Sequence, residues 1–89
     1  MAEVIVEYHT HIRTPEGLDY AARAVAASAR NGEWDGWLEF LPVGGRGPVL
    51  RTDHETHQAT RDALEVWASG LEMTYFEGAF ARAQIVASR

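Results

Sequence analysis

Eighty-nine residues make one domain with a small core, since a chain of this size buries only about 60–65% of its unfolded surface. Hydrophobic residues are 46% and charged residues 24%, an ordinary globular balance that argues against a disordered chain. The formal charge of −5 weighs against a nucleic-acid backbone as main partner. The absence of Cys excludes a disulfide framework, a thiolate metal site and a cysteine nucleophile.

All eight basic residues are Arg, which removes Schiff-base and P-loop lysine chemistry. No apolar run approaches the ~18 residues of a membrane span, and the N-terminus lacks the charged-then-apolar pattern of a secretory leader. The expectation is therefore a cytoplasmic protein without a membrane partner.

Residues 3–13 alternate with period two, the signature of a half-buried strand. Val4, Val6, Tyr8, Thr10 and Ile12 share one side; Ile5, Glu7, His9 and His11 share the other. Thr14-Pro15-Glu16-Gly17 ends the strand. Residues 19–30 admit two readings. Thr14, Pro15 and the alanines that follow suit a helix stopped at Asn31-Gly32. The same Asn31-Gly32 is also a strong two-residue hairpin signal, and the hairpin is favoured. It would set Arg30 opposite Glu33, Ala29 opposite Trp34, Ala27 opposite Gly36 and Val25 opposite Leu38.

Trp34–Val43 reads as a strand, with Trp34, Leu38 and Phe40 on one face and Asp35, Trp37 and Glu39 on the other. Gly44–Pro48 is a loop, and residues 49–52 form a short fourth strand. Thr52 and Glu55 have capping-box spacing ahead of a helix over 57–69, which Gly70 terminates. Thr74 and Glu77 repeat that spacing, and 75–87 follows a helical period, with a final strand as the alternative. The expected fold is α+β: about four mostly antiparallel strands, with one or two C-terminal helices on the Val4/Val6/Tyr8/Ile12 face. The expected core is Val4, Val6, Tyr8, Ile12, Val25, Trp34, Leu38, Phe40, Leu64, Trp67, Leu71, Phe76 and Phe80.

Four segments carry a family likeness: W-D-G-W-L-E-F-L-P (34–42), L-R-T-D-H-E-T (50–56), A-L-E-V-W-A-S-G-L (63–71) and Y-F-E-G-A (75–79). In these, the chain resembles a group of small uncharacterised bacterial proteins with a W-x-G-W-[IL]-E-F hairpin strand and a W-A-x-G-L helix end. The likeness spans roughly residues 20–80 and implies the hairpin at 19–30, but no chemistry. The chain also resembles, more loosely, the N-terminal domain of HicB-type antitoxins. There too a strand ending at Pro leads into a Thr/Glu-capped helix. The Leu-Pro-Gly-Cys turn of that family is missing here.

The histidines form two same-face pairs, His9/His11 on a strand and His54/His57 in what reads as a first helical turn. Should strand and helix meet, the four could bind a transition metal, with Glu7 or Glu55 adding a carboxylate. Solvated polar faces explain the same residues. H-E-T-H is not the H-E-x-x-H of a zinc helix.

Gly44–Gly47 with Arg46 could cradle an anion, or simply connect two strands. Asp35/Glu39 and Asp62/Glu65 are carboxylate pairs without a cleft, and Ser28, Ser69 and Ser88 lack a nucleophile motif. Trp37 on the outer face either suits a contact with a protein partner or a second copy, together with Ile5, Glu39 and Arg46, or is covered by its own chain, for instance by a terminal helix. The functional expectation is a non-catalytic interaction module without a cofactor, its partner another protein or a second copy in a homodimer. A metal-binding protein or metal-dependent enzyme is the alternative.

Overall fold

The computed structural model describes residues 1–45 and 47–89. The elements run β1 (Ala2–Arg13), β2 (Asp19–Ser28), β3 (Trp34–Pro42), β4 (Leu50–Arg51), β5 (Thr56–Gln58), α1 (Arg61–Ser69) and α2 (Met73–Ala87). The sheet is an antiparallel meander β1-β2-β3, and β4 and β5 both pair with the far side of β3. Both helices lie on one face, so the fold is α+β as the sequence predicts.

The β1–β2 turn follows from its residues. Thr14 accepts the Leu18 N–H on its hydroxyl at 3.1 Å, and Gly17 takes φ 86°. The second hairpin also forms, which sets aside the helical reading of 19–30, but its loop has three residues rather than two. Asn31 and Gly32 adopt φ 61° and 73°, as their types favour. Arg30 joins them in the loop, and Ser28 therefore pairs with Trp34.

That one-residue slip turns β2 over relative to the expected register. Ala24 faces Leu38 and Ala22 faces Phe40 on the helix side, while Val25 pairs with Trp37 on the other face. Ala22 and Ala24, poor strand formers by propensity, are thus, with Tyr20, the strand's contribution to the core.

β1 departs from simple alternation in two places. Val4 pairs with Val25 but Val6 pairs with Ala24, so Ile5 is an extra residue. This bulge sends Val4 to the outer face, 43% exposed, instead of into the core. Val6, Tyr8 and Ile12 do pack on the helix side.

Beneath the helices, Phe76, Ala79, Phe80 and Ala83 of α2 meet Tyr20, Leu38 and Phe40. Phe80 sits 5.2 Å from Phe40 and 5.1 Å from Tyr20 between ring centroids. Helix α1 starts at Arg61, not at 57. Its N-cap is Thr60, whose hydroxyl accepts the Ala63 N–H at 3.0 Å. Thr52 caps nothing. It is fully buried and accepts the Leu38 N–H at 3.1 Å, bridging β3 across a bulge.

Candidate functional site

The face of the sheet away from the helices carries the candidate site. Along β1, Glu7 pairs with Arg23 and His11 with Ala21, so Tyr8, His9 and Thr10 stand opposite Ala22 alone. Four residues of β1 span what two residues of β2 span, so the strand arches. Beside the arch is an open hollow of about 340 Å³, lined by Glu7, Tyr8, His9, Ala21, Ala22, Arg23 and Leu41.

Tyr8 pins the arch to the helix layer. Its hydroxyl donates to the Ala68 carbonyl at 2.7 Å, and its ring meets Phe76 edge-on at 4.6 Å. Burial pushes its pKa up to about 12, so it stays a donor.

Arg23 turns away from its cross-strand neighbour Glu7. Its Nε and Nη2 donate to Glu39 Oε1 at 2.8 and 2.7 Å. Glu7 has no ion-pair or hydrogen-bonded partner among the described residues.

Trp37 does lie on the outer face, yet it is only 5% exposed, so of the two readings the covered ring holds and the open aromatic anchor does not. Its cover is its own chain. The Arg51 guanidinium stands 4.4 Å from the ring centroid, and the His54 imidazole stacks at 5.6 Å. Its Nε1–H donates to Glu39 Oε2 at 3.2 Å. The cover exists because β3 meets two strands: Glu39 pairs with Arg51 and Gly36 with Thr56. The intervening residues 52–55 are two more than a regular ladder needs, and His54 folds over the ring. Glu39, expected at a partner surface, is therefore engaged by Arg23 and Trp37. Ile5 is the half-buried bulge residue of β1. Arg46 lies outside the described residues.

The histidines are not gathered as one set. His9 and His11 are on β1; His57 is on β5 and His54 in the segment before it, not in a helical turn. β1 and β5 are three strand spacings apart across the sheet, about 14 Å. Among the described residues no group of three or more His, Asp or Glu is placed to hold a metal ion.

His57 is instead clamped by carboxylates. Nδ1 meets Asp35 Oδ1 at 2.6 Å and Nε2 meets Glu33 Oε1 at 3.1 Å. The hydrogen bond to Asp35, then that to Glu33, raises its pKa above 6.5. His54 Nδ1 lies 3.6 Å from the other Asp35 oxygen.

A second polar network, on the helix side, escaped the sequence reading because its members are distant in sequence. Glu55 accepts from Tyr75 Oη at 2.6 Å and from Arg82 Nη2 and Nε at 2.6 and 3.1 Å. Asp53 pairs with Arg89 at 2.8 Å. Arg82 lies on α2 and Arg89 just past its end, seven residues on, a spacing that was the available signal.

These features define a class: a small α+β domain with a polar sheet face left open by its helices. No protein-family model, curated protein or solved structure matches the chain. Among the described residues no helix is long and apolar enough to cross a membrane.

Proposed function

We propose that the chain is a non-catalytic protein-interaction module that engages its partner through the outer face of the sheet. The observation that carries this reading is the hollow beside the β1 arch, on the face the helices leave free, with Glu7 at its rim unpaired among the described residues. The clusters a catalytic reading would draw on support it too. Glu55 is saturated by Tyr75 and Arg82, and both ring nitrogens of His57 are engaged by carboxylates. The same reading takes the protein as bacterial and cytoplasmic, following its resemblance to the small bacterial group, and includes a homodimer as one form of the assembly.

The test is capture from native extract, followed by reconstitution with the purified partner and calorimetry. Ala21→Arg fills the hollow from a half-buried position on its floor, and should weaken binding by tenfold or more. Glu77→Arg, on the exposed side of α2, should leave it unchanged. The opposite pattern overturns the reading. Sedimentation across a dilution series separates a second copy from a different protein.

A further inference from the structure

We propose that the hollow beside the β1 arch receives an arginine side chain of the partner protein; this rests on the interaction reading above. Three features of the hollow point to a guanidinium. The first is an available carboxylate. By register Glu7 and Arg23 should pair across β1 and β2, but Arg23 is drawn to Glu39 at 2.7 Å and Glu7 is left without a cation among the described residues. The same ion pair neutralises Arg23, so it repels an incoming cation little.

The second feature is the floor. Ala21 projects nothing beyond Cβ, and Ala22, whose side chain faces Phe40 on the helix side, presents only backbone, so the surface is flat enough for a planar head; Leu41 offers apolar contact for the methylene stem. The third is the charge balance. A net charge of −5 draws basic partners toward the surface, and a carboxylate accepts a guanidinium through two parallel hydrogen bonds, which an ammonium cannot match. A volume of about 340 Å³ is at the small end of ligand sites and suits one side chain better than a cofactor.

The experiment titrates the ¹⁵N-labelled protein with a capped Gly-Arg-Gly peptide, with the same peptide carrying neutral citrulline, and with free arginine. The arginine peptide should give saturable shifts at the amides of 7–9 and 21–23, with citrulline at least tenfold weaker. Glu7→Gln should cost about tenfold in affinity with an unchanged melting temperature, since Glu7 is exposed. Absence of saturable shifts there, equal binding of citrulline, or an indifferent Glu7→Gln overturns the proposal. Free arginine binding more tightly than the capped peptide also overturns it, because the source would then be a metabolite. If the reconstituted partner is lost with Ala21→Arg but indifferent to Glu7→Gln, the interaction reading stands and this inference alone fails. A partner indifferent to both sinks both.

Discussion

Arg82 holds Glu55 through two hydrogen bonds, of 2.6 and 3.1 Å, and so ties α2 to the segment between β4 and β5. Only 9% of the Glu55 side chain is exposed against 48% for Arg82. Burial pushes the Glu55 carboxyl up, but the hydrogen bonds from Arg82 and Tyr75 outweigh it and hold the group below 4.5. A depressed carboxyl contributes stability above its unfolded pKa and loses it as pH falls through the folded value. Glu55→Gln should therefore cost about 2 kcal/mol at pH 7, discounted for the exposure of Arg82, and progressively less on acidification below about 4.5. Urea unfolding of both proteins from pH 7 to pH 3 measures this. A cost that stays constant with pH would separate the loss from the charge.

His57 should titrate above 6.5, since Asp35 and then Glu33 favour its charged form. A raised pKa gives stability that is full below the unfolded value and fades as pH rises through the folded one. Imidazole resonances followed by NMR give the midpoint directly. Asp35→Asn should lower it, and an unchanged midpoint would deny the clamp.

Gly36 of β3 packs against Leu64 of α1. A Cβ added there would stand 3.0 Å from Leu64 Cδ1 and 3.0 Å from Thr56 Cγ2. Leu64 is fully buried and has little room to yield. Gly36→Ala should destabilise by about 1–2 kcal/mol by overpacking. Much of that cost should vanish against a Leu64→Ala background, which a double-mutant cycle in urea reads.

Trp37→Ala should act on folding, not on association. The ring is 5% exposed and sits between Arg51 and His54, so its removal should cost about 3–5 kcal/mol. Denaturant unfolding gives the number. A variant as stable as the wild type would mean the ring is not packed in solution.

The large elements were legible because each repeats its period several times. β3 and both helices appear where Trp34–Pro42, Leu64/Trp67/Leu71 and Phe76/Phe80 imply them. Single-residue insertions were not. Nothing in V-I-V-E declares that Ile5 is extra, yet that bulge decides the side on which Val4 falls. The Asn31-Gly32 turn was recognisable, but whether Arg30 joins the loop depends on how β2 packs, and the register of Val25 hangs on it. Thr52-x-x-Glu55 has the spacing of a cap, but both side chains are committed to distant partners, Leu38 and Arg82. The two halves of the hollow, Glu7–His9 and Ala21–Arg23, are brought together by the β1–β2 pairing, but the arch that opens space between them is announced by no periodicity.

The meander order of the sheet has a consequence for kinetics. β1, β2 and β3 each pair with the next strand in the chain, so their loop-closure cost is small, whereas the helices reach back across the sequence, as Tyr8 does to Ala68. The three-stranded ribbon is thus expected to form first and the helices to dock afterwards. In that order Leu38 and Phe40 face water until Phe76 and Phe80 arrive. Substitutions in the β2–β3 hairpin should then slow folding, and substitutions in α2 should chiefly speed unfolding. Paired folding and unfolding rates for Ala24→Gly and Ala83→Gly distinguish the two, and a nascent chain halted before α2 would be the aggregation-prone species.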